Sequence, residues 1–298
     1  MDLHPKKVFT SMGYVNDFVV EQNRLYAVNN EGLVDIFDTK TQKIIQQIAL
    51  PLLQTARGKL IPANILSIDK FKQNLLLVSV GKNNYKNVWI YKDHKLQQII
   101  NEEKKLSIKE ARFVNEEQII FGTFGSEIIL HNTSEKYNLY RAHQSFSSLG
   151  DITLSKDKTK LLMSDESGTV KLIDTKSSKI EKTFNSQNVD NIYRIAYNNG
   201  VILTAGQDRR VGVYQKEKEA YHIKSDFLVY CVGLSPSGSR GIYSADEENN
   251  LQVFNTKTKQ LGDKLVGHKS LINQIKFVSE KKLYSVGSRH KILYWELN

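Results

Sequence analysis

Few residues in this sequence have the types and spacing that catalysis requires. The one cysteine, Cys231, excludes an internal disulfide and a zinc site built from several cysteines. It lies in the apolar stretch 228–234, which is typical of a buried strand, whereas a catalytic thiol would need a nearby base. The acidic runs of interest for metal binding are at residues 165–166 and 246–248, in turns where carboxylates are usually solvated. We therefore expect neither a catalytic cysteine nor a metal at these positions.

Sequence motifs for enzymatic chemistry are also missing. The sequence has no HExxH motif, no glycine-rich phosphate loop ahead of a helix and no GxSxG nucleophile elbow. The seven histidines follow no spacing that suggests a metal site. We predict that the protein is not an enzyme and binds no cofactor.

Composition and charge describe a globular protein with a basic surface. Lysine and arginine number 42 against 32 acidic residues, a net charge of +10 that favours acidic partners. The basic residues alternate with acids, as at residues 156–158, so nucleic acid is an unlikely partner compared with protein. Residues 1–18 contain no continuous hydrophobic stretch for a secretion signal, and no apolar run approaches the roughly 18 residues of a membrane span. These features predict a cytoplasmic protein without membrane insertion.

A repeat of about 41 residues organises the chain. Seven segments alternate apolar residues over four or five positions and end in an aromatic or similar residue followed by a polar one. Successive ends are separated by 54, 40, 42, 41, 40 and 41 residues. These ends are Phe37, Tyr91, His131, Ile173, Tyr214, Phe254 and Trp295. Two apolar runs precede each segment and one follows it, with turn residues between them, so each repeat predicts four short strands.

Four antiparallel strands repeated at this period resemble the blades of a WD40 β-propeller. Gly267-His268 opens the last repeat and Trp295-Glu296 closes it, close to the GH and WD marks of that family, and Asp208 matches its strand-turn aspartate. The resemblance implies an all-β, seven-bladed WD40-type β-propeller with four antiparallel strands per blade, forming a single domain over residues 1–298. It also implies that His268 is a buried hydrogen-bonding residue.

Other repeats depart from the WD40 pattern at the aspartate. Because other residues occupy that position, we expect the family's His, Ser, Asp and Trp hydrogen-bond set to be incomplete in most blades. The residues found there are Glu31, Gly125, Ser167, Glu248 and Arg289.

The two ends of the chain complement each other. The last repeat ends at Asn298, directly after its third strand, and residues 4–10 precede the first strand of the first repeat. In the family such a segment completes the last blade, and this removes an exposed sheet edge. We predict that the N-terminal strand does so here.

The single long interval contains an insertion at residues 51–62, between Pro51 and Pro62. It carries apolar residues together with Arg57 and Lys59. Long loops tolerate sequence change and are also enriched in functional sites. Two interpretations of the insertion therefore remain, a docking loop for a partner and an elaborated surface loop without such a role.

Propellers bind mostly through the loops before the first strand and between the second and third strands of each blade. Tyrosine and arginine gather at these positions in blades five to seven, and these residue types dominate interaction hot spots. The candidate partner-binding residues at these loops are Asp17, Tyr193, Arg194, Gln207, Arg209, Arg210, Tyr230, Lys269, Arg289 and His290, and the insertion adds Arg57 and Lys59.

The sequence therefore favours a non-catalytic scaffold or accessory protein that binds one or more proteins, including acidic segments, through the narrow-end face of the propeller. In overall character the chain is also similar to accessory proteins of the NapL type, which are encoded with some bacterial periplasmic nitrate reductases, and this implies a role in maturing such a respiratory reductase before export. The alternatives are a propeller hydrolase or lactonase with a channel-bound divalent cation and, ranked equally low, a nucleic-acid-associated propeller.

Overall fold

A computed structural model describes all 298 residues. The chain consists of short strands joined by tight turns, with two 3₁₀ helices and no α-helix. Neither helix has the length and apolar character that crossing a bilayer requires. The turns explain the many residues with positive φ, such as the Asp93-His94 pair (φ 50° and 60°), because a two-residue hairpin turn needs the left-handed region. Aspartate and asparagine tolerate that region better than most residues.

The strands follow one another in small antiparallel groups. From the N-terminus they are β1 Asp2–Leu3, β2 Lys7–Thr10, β3 Val15–Glu21, β4 Arg24–Asn29, β5 Leu33–Asp38, β6 Ile44–Ala49, β7 Leu53–Gln54, β8 Leu60–Ile61, β9 Ile65–Phe71, β10 Asn74–Val80, β11 Lys86–Lys92, β12 Lys95–Ile100, β13 Ile108–Phe113, β14 Gln118–Thr123, β15 Glu127–Asn132 and β16 Tyr137–His143. The 3₁₀ helices are Lys82–Asn84 and Glu102–Lys104. The remaining strands are β17 Leu149–Leu154, β18 Lys160–Asp165, β19 Val170–Asp174, β20 Ile180–Phe184, β21 Ile192–Asn198, β22 Val201–Gly206, β23 Arg210–Gln215, β24 Tyr221–Lys224, β25 Val232–Leu234, β26 Arg240–Ser244, β27 Leu251–Asn255, β28 Leu261–Leu265, β29 Ile272–Phe277, β30 Lys282–Gly287 and β31 Lys291–Glu296.

Seven sheets with four antiparallel strands each confirm the predicted seven-bladed architecture. Blades one to six are β3–β6, β9–β12, β13–β16, β17–β20, β21–β24 and β25–β28. Blade seven has the order β2-β31-β30-β29, so the predicted completion of the last blade by the N-terminal strand is also confirmed. An addition that the sequence did not predict is β1, which pairs in parallel with β28 and gives the sheet of blade six a fifth strand.

By internal contacts the chain divides into two compact units. Unit 1 comprises Met1–Val8, Ser147–Ser288 and Ile292–Asn298, and unit 2 comprises Phe9–Phe146 and Arg289–Lys291. In each unit, successive blades share buried apolar clusters. Val34 of blade one and Leu77 of blade two belong to one cluster, and Val211 of blade five and Phe254 of blade six to another. Burying a side chain such as that of Leu77 stabilises the fold by about 1.5–3 kcal/mol.

A β-bulge interrupts the first strand of most blades. The register of the strand skips one residue, so the strand bends and its next side chain is turned toward the other face. The residues skipped in this way are Asn16, Leu66, Lys109, Gly150, Tyr193 and Asn273.

The insertion at residues 51–62 forms a hairpin of its own. Strands β7 and β8 pair only with each other, and the Thr55 N–H donates to the Lys59 carbonyl at 2.8 Å. Gly58 takes a left-handed conformation (φ 77°) in the turn between them. The hairpin connects the last strand of blade one to the first strand of blade two, as the sequence predicted.

Candidate protein-interaction surface

Two of the predicted tyrosines lie against each other in unit 1. Tyr193 is the unpaired residue of the bulge in β21, and its ring stacks on that of Tyr230 with 5.4 Å between centroids and 16° between planes. The Tyr193 hydroxyl donates to Gln207 Oε1 at 2.8 Å. Burial, with smaller contributions from Tyr230 and Asp190, raises the pKa of Tyr193, so the phenol stays a hydrogen-bond donor at neutral pH.

Tyr230 is held by hydrogen bonds just before β25 begins. The backbone N–H groups of Tyr230 and Cys231 both donate to Ser244 Oγ, at 2.8 and 3.3 Å. The Phe227 ring lies 6.1 Å from that of Tyr230, and all three aromatic rings remain partly exposed. We refer to Tyr193, Phe227 and Tyr230 as the aromatic platform.

The prediction from the repeat missed Phe227. It precedes the apolar pattern of its blade by two residues and therefore falls outside the positions at which contact residues were sought. The available signal was an aromatic residue three positions before Tyr230, the aromatic that lies just ahead of β25.

The thiol of Cys231 lies beneath the platform in the core. Cys231 is fully buried, and burial raises its pKa to about 12. At neutral pH the sulfur is therefore a thiol and not the thiolate that acts as a nucleophile. This geometry agrees with the interpretation of Cys231 as a core residue.

Two of the predicted arginines are engaged in internal hydrogen bonds. Arg194 Nη1 donates to Asp151 Oδ1 at 3.2 Å, and the other oxygen of Asp151 accepts from the Ile195 N–H at 2.9 Å. Arg210 Nη1 donates to the Gln187 carbonyl at 3.2 Å, and its Nε lies 3.8 Å from Asp208 Oδ2. These guanidinium groups join neighbouring segments of unit 1, so a partner would have to compete with the bonds they already make.

Asp208 anchors a buried polar network in blade five. Its two oxygens accept from Asn188 Nδ2 at 3.1 Å and from the Val189 N–H at 2.9 Å. Thr204 Oγ1 bonds Asn188 in turn and accepts from the Gly212 N–H at 3.0 Å. Asp208 thus has the structural position that the family resemblance implied, with Asn188 where the family has histidine.

Arg209 and Lys269 are the exposed cations among the predicted residues of unit 1. Arg209 lies in the turn between β22 and β23 with a left-handed φ of 62°, and its backbone carbonyl accepts from the Ser225 N–H at 2.8 Å. This turn also contains Gln207, the partner of Tyr193. Arg209 is therefore the arginine whose side chain the fold leaves to solvent beside the residues that support the platform.

His268 has the buried structural role that the resemblance implied. Its Nε2 lies 2.7 Å from Ser285 Oγ, and Trp295 Nε1 donates to the same oxygen at 2.7 Å. Burial lowers the pKa of His268 to about 4, so the ring is neutral at physiological pH. His268 belongs to the core of blade seven and offers no surface to a ligand.

In unit 2, Asp17 lies in the interior and not on the exposed rim that the sequence predicted. Only 2% of its surface is exposed. Its carboxylate accepts from the Phe18 N–H at 2.7 Å and from the Ile68 N–H of the next blade at 3.0 Å. The bulge beside it turns the side chain inward, and this is why a position that repeat counting assigned to the rim is buried.

The other predicted residues of unit 2 are more exposed. The His290 ring packs edge-on against Tyr14 with 4.5 Å between centroids, and Arg289 is exposed with its carbonyl accepting from the Val15 N–H at 3.1 Å. Arg57 and Lys59 lie exposed on the insertion hairpin. These four residues belong to unit 2, whereas the aromatic platform belongs to unit 1.

The acidic runs considered for metal binding are bonded to protein groups. Asp246 accepts from Asn250 Nδ2 at 3.0 Å and lies 2.9 Å from Lys264 Nζ, while Asp165 accepts from the Ser167 N–H at 3.0 Å. The structure contains no group of three or more His, Cys, Asp and Glu side chains placed to hold a metal ion.

The arrangement of strands matches a solved propeller. The β-propeller domain of Cps50 (Swd1) from Myceliophteria thermophila superposes with a TM-score of 0.78 over 99% of each chain at 15% sequence identity. The fold is a seven-bladed β-propeller. At this identity the likeness shows the fold alone. No protein-family model and no curated protein matches the sequence.

Proposed function

We propose that this protein is a non-catalytic interaction platform that binds a segment of a partner protein on Tyr193, Phe227 and Tyr230. The observation that carries the proposal is the stacked, partly exposed Tyr193–Tyr230 pair. Aromatic side chains supply much of the energy of protein interfaces, and stacked rings that are already fixed lose little entropy on binding. The platform therefore offers a preformed apolar contact with polar groups at its edge.

Arg209 supplies the charge that favours an acidic residue on the partner. Its guanidinium is exposed, in contrast to those of Arg194 and Arg210, which bond to Asp151 and Gln187. An acidic segment is also consistent with the net charge of +10. We expect Arg209 to affect mainly the association rate and its dependence on salt, because it lies at an exposed edge.

Affinity purification from the native cell tests the proposal. The tagged wild-type chain is compared with a Tyr193→Ala/Tyr230→Ala variant and with Tyr137→Ala, a matched control at an exposed tyrosine of unit 2. We expect mass spectrometry to identify a partner that the wild type and the control retain and that the double variant loses. Retention of every partner by a correctly folded double variant would contradict the proposal.

The charge contribution needs a separate variant. Arg209→Glu reverses the exposed cation, whereas Arg210→Glu would also break the hydrogen bond to Gln187 and so confuse binding with stability. We expect Arg209→Glu to weaken binding by about tenfold at low salt and less at high salt. Equal binding by wild type and Arg209→Glu at low salt would remove the acidic segment from the proposal while leaving the platform.

The more specific functions stay predictions. A role in reductase maturation is tested by nitrate reductase activity in cells that lack the gene. The hydrolase with a bound cation is tested by elemental analysis of the purified protein, since one equivalent of a divalent metal would favour it.

A further inference from the structure

Unit 2 contains a second surface whose charge and shape suit a ligand. Three of its loops, at residues 81–86, 101–109 and 123–126, are tied together by backbone hydrogen bonds from Lys86 N to the Leu106 carbonyl at 3.1 Å and from Phe124 N to the Ser107 carbonyl at 2.9 Å. The first two loops hold five lysines and only two glutamates. Four of these lysines are at least partly exposed, so the surface carries a net positive charge.

At its centre, Lys86 is a buried cation without a carboxylate. Only 4% of its surface is exposed, and its ammonium group donates to the carbonyl and side-chain oxygens of Asn84. No carboxylate oxygen lies within 4 Å of Lys86 Nζ, and burial alone lowers its pKa. A buried charge without an opposite charge is costly, so an anion from outside would be stabilised here.

Phe124 adds an apolar contact next to this charge. Its ring is 44% exposed, and Lys86 Nζ and Lys109 Nζ lie over it at 6.0 and 5.6 Å from the centroid. Lys109 is the residue that the register of β13 skips at the bulge, and β13 is an edge strand of the sheet of blade three. The exposed part of the ring lies next to these two cations and can contact an aliphatic side chain of an acidic segment.

A groove continues from these loops along the insertion hairpin. Its volume is about 480 Å³, and its walls include Leu53 and Ala56 of the hairpin and Lys82 and Asn83 of the first loop. Asn83 of this wall precedes Asn84 in the chain, and the oxygens of Asn84 hold the Lys86 ammonium group. The space suits an extended peptide with apolar side chains in the groove.

We propose that this surface binds an acidic peptide segment with aliphatic flanks, its carboxylates contacting Lys82 and Lys109 and lying close enough to the buried Lys86 ammonium group to be attracted by its charge. The insertion hairpin is then one wall of a peptide-binding groove. This proposal is independent of the aromatic platform, which lies in unit 1.

Fluorescence anisotropy with two short labelled peptides tests the proposal. One peptide has a Leu-Glu-Asp-Leu core and the other a Leu-Gln-Asn-Leu core. We expect the acidic peptide to bind the wild-type chain at least about tenfold more tightly, and Lys86→Met and Phe124→Ala each to weaken it by about tenfold. Lys40→Met, at an exposed lysine of unit 2, is the matched control and should bind as the wild type does.

The melting temperature separates binding from stability. Lys86→Met removes a buried charge, so we expect an unchanged or higher melting temperature together with the weaker binding. Equal binding of both peptides, or full binding by Lys86→Met and Phe124→Ala, would overturn the proposal. Tighter binding of an oligouridylate than of the acidic peptide would also overturn it. Tyr193→Ala/Tyr230→Ala should bind the peptide normally, so failure of the aromatic platform leaves this test intact.

Discussion

Individual buried polar residues fix the blades, and the residues used differ from blade to blade. Blade seven has His268, Ser285 and Trp295, whereas blade five has Asn188 and Thr204 at the positions of the histidine and serine. The sequence predicted the histidine because it stands in a recognisable Gly-His pair. It could not predict Asn188, because asparagine is common in turns and its role depends on a partner 16 residues away.

Because the buried His268 ring is neutral, we predict that the stability of the folded chain depends on pH. Burial holds its pKa at about 4 in the folded chain, below the value near 6.5 of an unfolded chain, so the unfolded state binds the extra proton. The stabilisation is fully present above about pH 6.5 and is lost as the pH falls toward 4, by up to about 3 kcal/mol. We expect the melting temperature to fall over this range, and to fall less steeply in His268→Asn.

His222, whose pKa burial also lowers, titrates in the same range, so the comparison with His268→Asn is needed to isolate the effect of His268. The two carboxylates with strongly lowered pKa values do not interfere. Hydrogen bonds from Ser155 and Ser177 hold the pKa values of Asp157 and Asp174 at about 2, so these carboxylates lose their contribution only below about pH 4. Identical slopes for wild type and His268→Asn between pH 6.5 and 4.5 would show that His268 is not the group responsible.

Ser285 should be important for stability because two donors share its oxygen. Ser285→Ala leaves His268 and Trp295 without their buried partner, and we expect the free energy of unfolding to fall by about 2–4 kcal/mol. Ser288→Ala, at an exposed serine, is the matched control and should change it by less than about 0.5 kcal/mol. Chemical denaturation of the three proteins measures the difference, and similar losses in both variants would contradict this account.

At the scale of single elements, the N-terminal segment pairs with two blades, whereas the sequence predicted only one of these contacts. It completes blade seven through β2, and Phe9 on this strand is fully buried with its ring 5.6 Å from that of Phe37. Ahead of it, β1 joins β28, and the Lys264 N–H donates to the Met1 carbonyl at 2.9 Å. A parallel pair of two residues leaves no periodic pattern, so the sequence could not reveal β1.

Stepwise truncation distinguishes these two strands. Removing residues 1–3 deletes only β1, and we expect a fall of a few degrees in the melting temperature. Removing residues 1–10 also opens the edge of β31 and empties the site of Phe9, and loss of a buried phenylalanine alone costs about 3–5 kcal/mol. We expect this larger deletion to lower the melting temperature by more than about 10 °C.

Calorimetry of the full chain and both truncations provides the comparison. Phe9→Ala should account for much of the loss caused by the larger deletion, whereas Val8→Ala, at a more exposed position of the same strand, should have little effect. An unchanged melting temperature after removal of residues 1–10 would contradict a structural role for β2.

For the whole molecule, the spacing of the repeats was sufficient to predict the fold. Alternating apolar residues every 40 or so positions identify strands and blades, because burial on one face of a sheet imposes a period of two. Assigning surface residues by their position in the repeat predicted the candidate site less accurately. It found the Tyr193–Tyr230 pair, but it could not detect the bulge that buries Asp17 or the hydrogen bonds that engage Arg194 and Arg210.

The central claim about this protein is that a partner protein contacts the aromatic platform. Hydrogen exchange of the purified chain, with and without the partner obtained by affinity purification, tests this claim directly. We expect the amides of residues 190–194 and 227–231 to exchange at least several-fold more slowly in the complex. Unchanged exchange in both segments, with protection confined to other parts of the chain, would contradict it.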